Sequence, residues 1–295
     1  MRFLLVDRIV QSTESSIYGL KHVTSDDPFL QLDEQGRWFF VPSLVGEALG
    51  QLAAWHVMAA NNFTLRPVAG VVACARLFRQ AFVGETIQLE SMIDSLDEQA
   101  VQYHSVARVG VEKIFEIEGA LGPLLPMNLF IDEDDVRCQY QNLNRPGNWA
   151  SLIEHFSTLD APPQRFEEPR YIAPRMRFDV IVHQEPQVQC VAEKKVNFAA
   201  GYFADHFPKK PVLPMTVLLA CQLDLVREFL RSSQWPECYQ VRELRRIKMN
   251  DFVHPGDVVQ CQLQVKQRDA HELILGLRCT VDGRRVCVLD VALSV

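Results

Sequence analysis

His206 and Glu47 are the two residues of this chain whose types and placement best suit proton transfer, and neither has a partner in its own half of the sequence. Read at one constant offset, Asp33 and Glu47 in the first half align with His206 and Ala220 in the second. The first copy therefore keeps a carboxyl group but has no histidine fourteen residues before it. The second keeps the histidine and carries alanine fourteen residues later. A neutral imidazole, with an ordinary pKa of about 6.5, accepts a proton near pH 7. A carboxyl group kept protonated by apolar surroundings donates one. The two halves together hold one acid–base set, which implies that they face each other across a shared site.

The elements that must position these residues also occur twice, so an internal repeat governs the fold. In the first copy, strands are predicted near 2–10 and 16–24, followed by a long apolar segment from Pro42 to about Ala60. Pro42 suits a helix start, where its missing N–H is not needed. Leu44, Val45, Ala48, Leu49, Leu52, Ala53 and Val57 recur at helical spacing with nearly as apolar faces between them, as in a buried helix. Four strand-like runs follow at about 70–82, 86–97, 101–109 and 113–121, punctuated by Val83-Gly84-Glu85 and Val109-Gly110. The second copy repeats the order, with strands near 176–182 and 188–198 and a helix from Pro214 to about Arg231. Four further strands are expected near 241–253, 258–267, 272–281 and 285–293, with turns at Pro255-Gly256-Asp257 and Asp282-Gly283. One buried helix followed by an antiparallel meander, twice over, is an α+β pattern.

With 295 residues the chain is long enough for two such units. We expect an N-terminal unit over 1–124, a linker over 125–170 rich in Pro, Asn and acids, and a C-terminal unit over 171–295. The run Asp132-Glu133-Asp134-Asp135 reads as solvated linker rather than a metal site, because no second ligand cluster accompanies it. A net charge of −7 argues against nucleic-acid binding. The eight cysteines (74, 138, 190, 221, 238, 261, 279 and 287) form no CxxC pair, and most sit in apolar runs as small hydrophobes. The short apolar stretch at the N-terminus is not expected to act as a signal peptide, and no run reaches the roughly 18 apolar residues of a membrane helix. The expectation is a soluble cytoplasmic protein without a metal or cofactor. Of the other histidines (22, 56, 104, 155, 183, 254 and 271) none shows a reciprocal partner, and His254 is expected to decorate a turn.

Several motifs resemble the bacterial 3-hydroxyacyl-acyl-carrier-protein dehydratases, a hotdog-fold family. His206-Phe207-Pro208-Lys209-Lys210-Pro211-Val212-Leu213-Pro214 is similar to that family's His-Phe-Pro-Gly-x-Pro-x-x-Pro-Gly stretch, and Glu47-Ala48-Leu49-Gly50-Gln51 to its Glu-Ala-x-x-Gln helix motif. Phe3-Leu4-Leu5-Val6-Asp7-Arg8 resembles its first strand, and Val253-His254-Pro255-Gly256-Asp257 a later turn. The resemblance covers nearly all of both copies and fails across the linker.

It implies a tandem, or double, hotdog: two antiparallel sheets, each wrapped around a long central helix, packed as a pseudo-dimer. In the family each active site takes its histidine from one subunit and its acid from the other, with the acid fourteen residues after the histidine. His206 and Glu47 then form the catalytic pair of one surviving site. The family's glycine nine residues after the histidine presents a backbone N–H to the substrate thioester carbonyl. That position is Met215 in the second copy and Pro42, with no N–H, in the first. Phe207, Pro208, Pro214 and Gln51 are carried over as substrate-binding residues. Asp224, one turn beyond Ala220 and displaced by about 6 Å along the axis, is a candidate replacement acid.

The implied reaction is dehydration of 3-hydroxyacyl thioesters to trans-2-enoyl thioesters in fatty-acid or polyketide-type synthesis. The implied partner is acyl carrier protein with a phosphopantetheine-linked acyl chain. Carrier proteins are acidic, so a basic rim at Lys209, Lys210, Arg245, Arg246 and Lys248 is expected to receive one. The resemblance also admits homo-oligomers of the pseudo-dimer. Alternatives are a thioesterase or isomerase on the same fold, and a catalytically degenerate acyl-binding or partner subunit.

Overall fold

The computed structural model of the chain describes residues 3–149, 151, 176–235, 239–269 and 271–294. The expected linker beyond residue 151, the start of the second copy and Cys238 lie outside the described residues.

The first half runs β1 (Arg8–Ser12), β2 (Ser16–His22), a hairpin of β3 (Leu30–Leu32) and β4 (Trp38–Phe40), then helix α1 (Pro42–Ala60). Strands β5 (Leu65–Pro67), β6 (Val71–Leu77), β7 (Thr86–Leu96), β8 (Ala100–Val109) and β9 (Glu112–Pro126) complete it. A helix α2 (Glu133–Leu143) follows, and then the second half: β10 (Val180–Glu185), β11 (Gln189–Lys195), α3 (Met215–Ser232), β12 (Gln240–Met249), β13 (Val258–Arg268), β14 (Glu272–Val281) and β15 (Arg284–Ser294).

The sheet order is β1-β2-β7-β8-β9-β6-β12-β15-β14-β13-β11-β10, with β5 added beside β9. Read from its two ends, this order passes through equivalent strands of the two copies. They meet in the middle, where β6 pairs antiparallel with β12 in the register Arg76↔Glu243 and Val72↔Ile247. A continuous sheet removes the two edges that separate units would each expose at this junction. Each half's strands bend around its own helix, and α1 and α3 pack against each other at the centre. Leu44, Leu49, Leu52 and Val57 of α1 are fully buried, as their all-round apolar context requires. This is the double-hotdog architecture that the family resemblance implies. Gly84 and Gly256, at the matching turns before β7 and β13, both have φ of 94°, a conformation that a β-carbon disfavours.

Three local features differ from the sequence-based expectation. The segment 3–7 lies outside the sheet, because side chains take its backbone groups. Phe3 N–H donates to Asp205 Oδ2 at 2.7 Å and Leu5 N–H to Gln51 Oε1 at 2.8 Å, while Phe3 O accepts from Gln51 Nε2 at 3.1 Å. The β3–β4 hairpin is an addition, and Asp33 forms its turn by accepting from the Gln35 and Arg37 amides at 3.0 and 2.7 Å and from Arg37 Nε at 2.8 Å. The acidic run 132–135 opens α2, where Asp132 stands at the N-cap position and Glu133, Asp134 and Asp135 sit in the first turn and complement the helix dipole. No group of His, Cys, Asp or Glu able to hold a metal occurs among the described residues. Nor is any described helix long and apolar enough to cross a membrane.

Candidate active site

His206 follows a short 3-10 turn, Gly201–Ala204, and its backbone N–H donates to Tyr202 O at 2.9 Å. Its Nδ1 lies 3.0 Å from the Val212 carbonyl, which can only accept. The proton is therefore on Nδ1, and Nε2 holds the free lone pair. Phe207 stacks on the imidazole at 4.0 Å between centroids, and Phe3 meets it edge-on at 5.9 Å. Burial lowers the imidazole pKa below the ordinary histidine value, opposed by nearby Glu47 and by the Val212 hydrogen bond. The ring is thus kept neutral, as a base must be before it acts.

Glu47 projects from the second turn of α1. Gln51 Nε2, one turn on, donates to its Oε1 at 3.0 Å, and Thr216 Oγ1 of α3 donates to its Oε2 at 2.7 Å. The carboxyl group is thus held by one donor from its own helix and one from the other half. Gln51 spends the rest of its amide on Phe3 and Leu5, so it positions Glu47 and the N-terminal segment together.

The two helices begin at equivalent positions, α1 at Pro42 and α3 at Met215. In α3 the Val217 and Leu218 amides both turn back to Pro214 O, whereas the Met215 amide has no partner among the described residues. Met215 has no positive φ, so its side chain fits where the family resemblance places glycine. Pro42 offers no N–H at all.

Glu47, His206, Met215 and Thr216 all line one cavity of about 350 Å³, together with Phe207 and Gln51. It has a body because the face of α1 turned to it is small: Gly50, Ala53 and Ala54. Their counterparts on α3 are Leu223, Val226 and Arg227. Around Leu223 and Arg242, beside Pro42 and Ser43, only about 10 Å³ remains. Neither Asp33, Ala220 nor Asp224 lines the large cavity.

Of the other residues anticipated from sequence, Pro208 borders a small pocket of about 30 Å³ next to His206, and Pro214 is the N-cap of α3. Lys209 pairs with Asp132, while Lys210 Nζ lies 4.4 Å from the ring of Phe252, a cavity-lining residue. Arg245 is committed to Glu243 and Glu272, and Arg246 to Asp290. Lys248 is exposed on β12. His254 closes a turn, its amide donating to Asp257 and its Nδ1 facing Pro211 O at 3.1 Å.

Thr216, Tyr103 and Arg66 are site residues that the sequence reading passed over. Tyr103 stands across from Gly50 in the cavity wall, and burial pushes its phenol up to about 12, with Glu47 adding to the shift. The signal available beforehand was the contrast between Gly50, Ala53 and Ala54 and their large counterparts, which marks the side on which a tunnel opens.

Fold and site together define a double-hotdog protein in which His206 of one half and Glu47 of the other line the same cavity. The ApeI-like family, described as ApeI dehydratase, matches residues 182–287. The 3-hydroxyacyl-acyl-carrier-protein dehydratase FabZ of Caldanaerobacter subterraneus subsp. tengcongensis is 37% identical over 113 residues, which are 37% of this chain and 79% of that protein. FabZ of Helicobacter pylori strain G27 is 26% identical over 143 residues, 46% of this chain and 84% of that protein. The dehydratase domain of RzxB from Pseudomonas fluorescens superposes with a TM-score of 0.55 at 13% identity, over 100% of both chains. An acyl-ACP thioesterase from Bacteroides thetaiotaomicron superposes at 0.53 with 13% identity, over 94% of this chain and 98% of that one. These two structures share the fold. The chain belongs to the FabZ-like 3-hydroxyacyl-acyl-carrier-protein dehydratase family.

Proposed function

We propose that this chain dehydrates 3-hydroxyacyl thioesters, carried on acyl carrier protein, to trans-2-enoyl thioesters at one composite site. The reading divides the chain into an N-terminal hotdog over 1–124 that supplies Glu47 and a C-terminal one over 171–295 that supplies His206. His206 Nε2 takes the proton from C2. The Met215 N–H, at a helix N-terminus, holds the thioester oxygen as charge builds there. Glu47 protonates the C3 oxygen, which leaves as water. The observation that carries this is the meeting of His206, Glu47 and a free Met215 N–H in one cavity, while the equivalent place is filled by Leu223 and Arg242.

The carrier protein is expected to approach through Lys210, which lies beside the cavity-lining Phe252. Lys209, Arg245 and Arg246 are already ion-paired within the chain. Service in fatty-acid or polyketide-type assembly follows from the substrate class.

The test is ultraviolet detection of enoyl thioester from 3-hydroxydecanoyl thioester. His206→Ala should abolish turnover. Glu47→Gln should preserve ligand binding and lose dehydration, because an amide cannot protonate the leaving hydroxyl. Full activity in Glu47→Gln would overturn the assignment. Release of free thiol in place of enoyl product would point to the thioesterase alternative.

A further inference from the structure

Arg66 enters the site from β5, and its charge is poorly answered by the protein. It lines both the 350 Å³ cavity and the small pocket behind His206. Its guanidinium lies 4.2 Å from the ring of Phe207, the ring that itself stacks on His206. Among the described residues it forms no ion pair. Its Nε is sealed from solvent without a hydrogen-bond partner, and its Nη1 reaches only Met58 Sδ at 4.0 Å. A half-buried guanidinium whose Nε is sealed off without an acceptor is costly to the fold, and such groups cluster at functional sites.

We propose that Arg66 is part of the acid–base machinery: a fixed positive charge that stabilises the substrate anion and gains a substrate oxygen as acceptor when the acyl thioester is bound. The inference rests on the dehydratase reading. The C2 proton passes to His206 Nε2, and the C2–H electron pair moves onto the thioester oxygen. It then returns to form the C2=C3 bond as the C3–O bond breaks. The departing oxygen takes the Glu47 proton and leaves as water. Arg66 opposes the negative charge during the first part of this sequence, alongside the Met215 N–H, and adds no atom to the products.

Two further observations agree. Burial pulls the guanidinium down to about 10, with Glu47 opposing, so the group is still charged at neutral pH. Its charge also contributes to holding the His206 imidazole neutral. Removing it should let His206 take up a proton at higher pH.

The experiment compares wild type, Arg66→Met, Arg66→Gln and Arg66→Lys on 3-hydroxydecanoyl thioester across pH, with circular dichroism and thermal melting as a check on folding. Loss of the charge in the Met or Gln variant should lower kcat about a hundredfold, with KM changed less than about threefold. The acid limb of the kcat/KM profile should move to higher pH. Arg66→Lys should recover part of both effects. If either folded neutral variant keeps kcat within about threefold and an unmoved acid limb, while wild type is active and His206→Ala is not, the Arg66 role is wrong and the dehydratase reading stands. If Met and Gln both fail to fold, Arg66→Lys decides: recovered folding with the acid limb where wild type has it supports the charge, and recovered folding with kcat reduced as far as expected for a neutral variant refutes it. A wild type without dehydratase activity would remove both readings together.

Discussion

Gly50 offers a test of why one cavity is open, because stability and activity should move in opposite directions there. Glycine within a helix costs about 1 kcal/mol relative to alanine. Gly50 has no positive φ, and a β-carbon there would lie 3.6 Å from the Tyr103 hydroxyl, an ordinary contact. Gly50→Ala should therefore raise stability by up to about 1 kcal/mol, or roughly 2–4 °C in Tm for a chain of this class. At Gly46 the same change would meet Phe115 at 3.3 Å, so its gain should be smaller. Gly50→Leu places on α1 the residue that α3 carries at Leu223, where only about 10 Å³ is left. It should keep the fold but shorten the cavity, so turnover should fall at least about tenfold for long chains while short ones continue to react. The assay is enoyl formation over a series from 3-hydroxybutanoyl to 3-hydroxytetradecanoyl thioesters, paired with thermal melts. A melting point lowered in Gly50→Ala would refute the contact argument. Unchanged long-chain turnover in a folded Gly50→Leu would refute the idea that a long acyl chain occupies this cavity.

Two other outcomes follow from the site. Thr216→Val removes the donor to Glu47 Oε2 and should lower kcat about tenfold with little change in KM, as expected for a net hydrogen bond of about 1.5 kcal/mol; kinetics with the matched Thr216→Ser variant, which keeps the hydroxyl, should return most of the loss. Burial lowers the pKa of both His206 and His56, so below their ordinary value near 6.5 the unfolded chain binds more protons than the folded one. Stability by urea titration should accordingly fall as the pH drops from 7 toward 5, and His206→Ala should flatten part of that slope.

The sequence alone determined the repeat, the two buried helices, the order of the strands along the chain and the reciprocal losses at the positions of His206 and Glu47. These are local or periodic signals: apolar spacing along Pro42–Ala60, glycine turns at Gly84 and Gly256, and residue identities at a constant offset. Side-chain partnerships across the chain carry no such periodicity. Nothing in the sequence assigns Asp33 to a hairpin turn with Arg37, or takes residues 3–7 out of the sheet by bonding them to Gln51 and Asp205. Only the tertiary structure decided that Thr216 reaches Glu47 and that Arg66 lies over Phe207, since those contacts join residues far apart in the chain. It also decided which side opens, because a cavity is the volume left after every neighbour is packed, and Gly50 and Leu223 differ in effect only once two helices and their sheets surround them.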